Sequence, residues 1–223
     1  MDKSDIVNRL NRKHGFRRYL EISTLETGRD FAKVDAARLD VKHRLAYRWP
    51  DHHSDGAPVT FSTPGPSSYH LVKELIAAGQ PYDSIFVDPY HSYAYSLVDL
   101  SGAFALLRPG GVMVVHDCGP TDPEILCPHY KEGLWCGVTY AAFIDFTLGR
   151  RELSYYTVDC DFGCGVIYKL SSPMLHPAGD AWAQLSAAWG LACNDDDTRL
   201  QFYLENRTAL LNLVSAEEFS RIL

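Results

Sequence analysis

Long apolar runs are missing from this sequence: no stretch approaches about 18 consecutive apolar residues, so a membrane-spanning helix is excluded. A basic surplus is missing as well. Lysine and arginine number 21 against 28 aspartates and glutamates, a formal net charge of −7, and that balance argues against a general nucleic-acid binder. The six cysteines (Cys118, Cys127, Cys136, Cys160, Cys164 and Cys193) contain no CxxC pair, and the first residues, MDKSDIVNRLNRKHGF, hold no apolar core of the signal-peptide kind. A reducing, cytoplasmic setting is therefore expected. Internal repeats and low-complexity segments are also absent. What is present is an ordinary globular composition, 46% hydrophobic and 12% aromatic over 223 residues. A chain of this size buries on the order of 70% of the surface exposed when unfolded, enough for a core without disulfide staples. Small-molecule chemistry or a protein partner remains.

Ile6, Val7 and Leu10 recur at helical spacing before Gly15, which predicts a lead-in helix over 4–14. Tyr19-Leu20-Glu21-Ile22 follows as a buried strand, then a loop with Thr24, Thr27 and Gly28, and a weaker strand near 38–45. Residues 48–67 are rich in Pro, Gly, Ser and His and predict a loop, broken by a short strand at Val59 to Phe61. The middle of the chain is more regular. Ser68 is a candidate cap for a helix with Leu71, Val72, Leu75 and Ile76 on one face and Gly79 at its end. Ser84 to Asp88 is an apolar strand closed by an acid; Leu97, Leu100, Phe104 and Leu107 mark a helix; Pro109-Gly110-Gly111 predicts a turn; and Val112 to Val115 is a second apolar strand closed by His116-Asp117. Strand, helix, strand with short turns is the pattern of parallel βαβ units in a doubly wound α/β sheet.

Later, 138–148 suits a helix, and 154–158 and 164–168 suit two strands, expected to be antiparallel. After Pro177 the pattern turns helical, over 182–191 and 200–214, with Asn194 to Asp197 as a solvated loop that caps the second of these helices. Ser215-Ala-Glu-Glu218 spells a capping box for a last short helix. The expected organisation is a domain over 1–172 and a helical extension over 173–223. That extension, with Trp182 and Trp189, either packs back on the domain or forms a homodimer interface.

In an open parallel sheet the ligand crevice lies outside the carboxyl ends of the strands, where strand order reverses. Three groups fall there: Glu21 to Gly28 after the first strand, Asp88 to His91 after the fourth, and His116 to Cys118 after the fifth. An acid ending an apolar strand is expensive to bury unless paired, hydrogen-bonded or metal-bound. GxGxxG is absent after the first strand, which argues against a dinucleotide-dependent oxidoreductase.

The series YLEISTLETG, YDSIFVDPYHSY and LLRPGGVMVVHDCGP resembles class I S-adenosylmethionine-dependent methyltransferases, in particular the small bacterial group related to macrocin-type sugar O-methyltransferases. The resemblance covers roughly residues 5–170. It implies a doubly wound, mostly parallel Rossmann-like sheet and methyl transfer from S-adenosylmethionine to a hydroxyl of a sugar or other small polar acceptor. Glu21, Ser23, Thr24 and Gly28 would face the amino-acid part of the cofactor, and Ser62 and Thr63 would lie near the adenine. Asp88 would share in cofactor binding and, with Asp117 and His116, in a site for a divalent cation, Mg²⁺ or another; His91 would be the general base. The sequence departs from the family pattern at Ser23, where a glycine is expected, at Lys42, which stands at the place of the second-strand acid with Asp40 two residues earlier, and at His116, where an acid is expected. An imidazole in that set suits a softer ion better than Mg²⁺. These departures keep a second reading open: a methyltransferase-fold protein with lost or altered cofactor binding, serving as a binding or structural module.

Plainer roles stand beside the chemical ones. Asp88 would serve equally as an acceptor for loop amides, and His91 as a packed histidine satisfied by a carbonyl. Trp135 and Tyr140 suit either an acceptor wall or the core. Asp159, Asp161, Gly163 and Gly165 suit a β-turn first and a substrate contact second, and Cys160 and Cys164 suit adventitious thiols.

Overall fold

The computed structural model describes residues 1–24, 28–47, 58–63, 68–174 and 180–223. The cofactor-loop residue Thr27, most of the expected loop over 48–67 and the change of character at Pro177 lie outside the described residues. Among the described residues eight strands form one sheet: β1 (Arg18–Thr24), β2 (Val41–Tyr47), β3 (Phe61–Thr63), β4 (Tyr82–Asp88), β5 (Leu107–Val115), β6 (Leu153–Val158), β7 (Cys164–Lys169) and β8 (Leu213–Val214). Their order is β3-β2-β1-β4-β5-β7-β6-β8. The pairs from β3 through β5 are parallel, and β7 runs antiparallel to both β5 and β6. Strand order reverses between β1 and β4, which puts the crevice above Ser23 and Asp88, register partners across that junction.

Helices α1 (Lys3–His14), α2 (Gly28–Lys33), α3 (Tyr69–Ala77), α4 (Tyr93–Leu106), α5 (Thr139–Thr147), α6 (Asp180–Ala192), α7 (Asp196–Leu210) and α8 (Ala216–Ile222) cover the two faces. Side chains alternate along a strand. Leu20, Ile22, Ile85, Val87, Met113 and Val115 therefore join one core with residues of α3 to α7, and Tyr19, Phe86, Val112 and Val114 join a second with Ile6, Val7 and Leu10 of α1, Phe31 of α2 and Phe219 of α8. The lead-in helix ends as its sequence predicts, at Gly15 in the left-handed region.

Four local expectations are corrected. Leu107 leaves the helix and opens β5, so Pro109-Gly110-Gly111 is an irregularity within that strand, with the register shifting between Tyr82 and Ser84, and not a free turn. Strand β3 begins at Phe61, two residues later than expected. Val214 lies in β8, beside Val158, because α7 ends at Leu210 and Asn212 takes a left-handed conformation. Ser68 does precede α3, but its side chain makes no cap; its hydroxyl and amide both donate to Asp99 Oδ1, at 2.5 and 3.0 Å.

Candidate active site

Strand parity builds the site. In β4, Ile85 and Val87 turn to the larger core, so Phe86 and Asp88 face the side that α1 covers. Asp88 is 2% exposed, and the first turn of α1 brings Lys3 to it: Nζ lies 3.8 Å from Asp88 Oδ2 and 3.3 Å from Asp30 Oδ2. Burial works against the charge of Lys3, yet Asp88 and Asp30 raise its pKa above the ordinary value.

One strand over, β5 delivers His116 and Asp117 to the same place. His116 Nδ1 stands 3.4 Å from Asp88 Oδ1 and 3.3 Å from Asp117 Oδ1, and its Nε2 stands 3.6 Å from Asp161 Oδ1 and 3.4 Å from Lys3 Nζ. Asp117 holds a positive φ of 57°, a conformation Asp tolerates better than most residues, and this turns its carboxylate back toward Asp88. Burial alone would raise the Asp88 carboxyl, but the neighbouring charge of His116, with Lys3 behind it, holds it well below the usual range. The reciprocal effect outweighs desolvation at His116, whose pKa is raised well above that of a free imidazole by Asp117 and Asp88. Contact with His116 keeps the Asp161 carboxyl at about 2 in spite of its partial burial.

His91 closes the group from the loop after β4. Its Nδ1 lies 3.3 Å from Asp117 Oδ2 and 3.4 Å from Thr139 Oγ1 at the start of α5. Its carbonyl accepts from the Val138 amide at 2.8 Å, and a Cβ on Gly137 (φ 55°) would sit 2.1 Å from that same oxygen, so only glycine passes there. Trp135 packs edge-on to His91 with centroids 5.4 Å apart, and its indole donates to the Cys127 carbonyl. Tyr140 is core, its ring tilted by 34° against Tyr203 of α7 with centroids 4.1 Å apart. Cys118 is buried, donates to the Val115 carbonyl, and has its thiol pKa raised far up by burial.

Against this geometry, residues 11–118 match the family described as Methyltransferase domain. Solved structures similar to the chain include the O-methyltransferase TomG from Streptomyces achromogenes in complex with SAM (18% identity, 76% of this chain and 80% of that chain, TM-score 0.56). Cofactor-bound Rv0187 from MTB is another (18%, 76% and 80%, TM-score 0.55), as is an O-methyltransferase from Bacillus cereus in complex with SAH (16%, 74% and 78%, TM-score 0.52). A search of curated proteins finds no match. The fold is that of the class I methyltransferases.

The carboxyl ends of β1 to β4 form the rim of the crevice, and the other positions singled out from the sequence lie on β1, β3 and the start of α2. Thr24, Tyr47 and Thr63 are register partners across β1, β2 and β3. Ser23 and Thr63 are buried and Ser62 is exposed; Gly28 opens α2. Glu21 is fully buried, accepting from Tyr19 Oη at 3.2 Å and Ser23 Oγ at 3.0 Å, with Arg44 Nε 3.6 Å away. Burial pushes its carboxyl up to about 8, against the pull of Ser23 and Arg44. The Lys42 alignment is corrected: Lys42 pairs with Tyr19 near the amino end of β2 and donates to the Val34 carbonyl, away from the crevice, because β2 starts at Val41 and runs on to Tyr47. The rim positions just beyond Thr24, Tyr47 and Thr63 lie outside the described residues.

Lys3, Asp30, Arg44 and Thr139 escaped sequence reasoning as site residues, and Asp161, read from sequence as a turn residue first and a substrate contact second, stands both in the β6–β7 turn and beside His116. No spacing ties residue 3 to residue 88; only the amphipathic face of α1, docked by Ile6, Val7 and Leu10, predicts that its first turn reaches the strand ends. A cavity of about 660 Å³ lies away from the chemistry, between β6, the end of α5 and α6, bordered by Tyr155, Met174 and Trp182.

Proposed function

We propose that the chain transfers the methyl group of S-adenosylmethionine to a hydroxyl of a small polar acceptor, a sugar among the candidates. The observation that carries this reading is the convergence of Asp88, His116, Asp117 and His91 at the switch point of a class I methyltransferase sheet. Bound there, S-adenosylmethionine supplies an electrophilic methyl on a sulfonium. The rim suits its cationic end: Ser23 and Asp88 flank the switch point, and Asp88 is an ionised, buried carboxylate.

His91 takes the hydroxyl proton at Nε2, since Nδ1 faces Asp117 and Thr139. Asp117 then stabilises the imidazolium it becomes, in the manner of an acid behind a catalytic histidine. Asp88, His116 Nδ1 and Asp117 Oδ1 fit a divalent cation: their donor atoms lie within 4.8 Å of one another, and Nδ1 and Oδ1 are buried without hydrogen-bond partners among the described residues. Such an ion would lower the pKa of an acceptor hydroxyl.

A second reading is favoured by one observation. Lys3 already pairs with Asp88 on this rim, the Arg44 guanidinium stands beside Glu21, and the gap bounded by Lys3, Tyr19, Glu21, Asp30 and Phe86 has no room for a water molecule. In that reading the chain keeps the sheet without the cofactor. Thermal unfolding with S-adenosylmethionine and with its demethylated product separates the two. At about 100 times Kd a native-state ligand adds about 2.7 kcal/mol, so methyl transfer requires a clear rise in Tm, larger still in Lys3→Met, and no rise in either protein leaves only the second reading.

A further inference from the structure

His116 is the position where this site differs from an all-carboxylate cation site, and its surroundings show what the imidazole is arranged to do. Nδ1 and the facing Asp117 Oδ1 are both buried, in residues 6% and 3% exposed, and neither has a hydrogen-bond partner among the described residues. The separations from Nδ1 to Asp88 Oδ1 and Asp117 Oδ1, 3.4 and 3.3 Å, are long for hydrogen bonds. These two separations match donors on one shared ion, because ligand atoms at about 2.0–2.2 Å from a centre stand about 3.0–3.5 Å from a neighbouring ligand, and the donor atoms of all three residues lie within 4.8 Å of one another.

The far nitrogen of the ring is held from another direction. Asp161 Oδ1 faces Nε2 at 3.6 Å, while Asp161 Oδ2 accepts from the Lys3 backbone amide at 3.1 Å. Asp161 and Phe162 both adopt positive φ, 48° and 58°, in the tight β6–β7 turn. That turn is clipped to the loop after β5: Cys118 N donates to Gly163 O at 3.0 Å, and Gly119 N donates to Phe162 O at 2.9 Å. Gly163 lies so close to Gly119 that a Cβ would come within 2.2 Å of the Gly119 nitrogen. Asp161 and His116 are thus held by one clipped stretch of backbone, and a carboxylate facing Nε2, beyond hydrogen-bond distance at 3.6 Å, favours the proton on that nitrogen by charge and leaves Nδ1 as a donor to metal.

We propose that Asp161 is a positioning residue for a nitrogen-bearing divalent-cation site, aiming His116 Nδ1 between Asp88 and Asp117 so that the site selects imidazole-accepting ions such as Co²⁺ or Zn²⁺ over Mg²⁺. The physical basis is that Mg²⁺ demands oxygen ligands, whereas the later divalent ions bind imidazole readily. Lys3, with Nζ 3.4 Å from the same Nε2 and 3.8 Å from Asp88, is the chain's own cation at this spot and gives way when the ion enters. The inference deepens the methyl-transfer reading and rests on it for the use of the ion, but not for its binding.

The test uses the full chain, stripped with a chelator and titrated with Co²⁺ while visible absorption is recorded, followed by competition with Mg²⁺ and Zn²⁺. Expected are Co²⁺ ligand-field bands that change in His116→Gln and an affinity for Co²⁺ at least about tenfold above that for Mg²⁺. Asp161→Asn, which suits the positive φ, should bind Co²⁺ about 10–100-fold more weakly with shifted bands while its circular dichroism matches wild type. Equal affinity for Mg²⁺ and Co²⁺, an unchanged spectrum and affinity in Asp161→Asn, or no ion bound at all would each overturn the proposal. A Tm rise with S-adenosylmethionine but no ion binding removes this inference and leaves methyl transfer standing; Co²⁺ binding without any such rise does the reverse.

Discussion

At the scale of single residues, the site is a balance of buried charges in which each group is set by its neighbours. His91 is oriented by Asp117 and Thr139 on one nitrogen and by Trp135 across its ring. Replacing it with Gln keeps a polar side chain of similar reach and removes the proposed base, so His91→Gln should lower kcat by about 10²–10⁴-fold. Its Tm rise with S-adenosylmethionine should persist; a kcat within a few fold of wild type would assign the proton to another group. Asp99 tells a parallel story away from the reacting atoms. Burial pushes its carboxyl up to about 6, although Ser68 donates to it twice. Between pH of about 4 and 6 the unfolded chain releases this proton while the folded chain keeps it, so Asp99 makes stability fall as pH rises through that window. Asp99→Asn is neutral in both states, and its stability relative to wild type should therefore climb by on the order of 2–3 kcal/mol between pH 4 and pH 6.5. Urea unfolding of both proteins at the two pH values measures this, and a pH-independent difference would contradict it.

At the scale of elements, what could be read in advance was whatever depends on local periodicity. The strands ending at Asp88 and Val115, the first helix with its Gly15 stop, the antiparallel β6–β7 pair, and the caps at Asp195 and Ser215 all follow from short-range patterns, and the structure has them. Asp88, His91, His116 and Asp117 were legible for the same reason, since a strand's end fixes where its next residues emerge. What was not legible depends on contacts between distant segments. Ser68 has the chemistry of a cap but spends it on Asp99, thirty-one residues on, and Leu107 continues the apolar spacing of α4 yet pairs with Tyr82 in β5. Lys3 and Asp161 reach the site only because α1 and the β6–β7 turn dock on the same rim. The segment before α5 shows how a backbone element carries such a contact. Gly137 lets Val138 bond the His91 carbonyl, and a methyl group there meets that oxygen at 2.1 Å in a left-handed conformation. Gly137→Ala should cost about 1–3 kcal/mol in urea unfolding and lower turnover through the displaced His91. Stability within about 0.5 kcal/mol of wild type would show that this segment moves aside freely.

At the scale of the whole molecule, residues 173–223 bear on whether the chain is one cooperative unit or a domain with an appendage. Trp189 of α6 is 2% exposed and donates to Asp145 of α5 at 2.6 Å, and Asp145 also accepts from Tyr93 of α4. Tyr203 and Leu211 lie in the same core as Leu20 and Ile85, and Tyr203 Oη donates to the Pro120 carbonyl just beyond the His116-Asp117 pair. β8 extends the sheet beside β6, and Phe219 of α8 crosses to the opposite face, where it completes the core that seats α1 and hence Lys3. The extension thus contributes to both layers and braces the loop after β5 through Arg207, whose guanidinium donates to Gly119 O at 2.8 Å. We propose that it is inseparable from the sheet. Urea unfolding followed by tryptophan fluorescence, which reports Trp182 and Trp189 among the four tryptophans, should coincide with the transition seen by far-ultraviolet circular dichroism. Phe219→Ala should then shift both probes together, by about 3–5 kcal/mol. An early fluorescence transition that leaves the sheet's signal intact would instead divide the chain near residue 173.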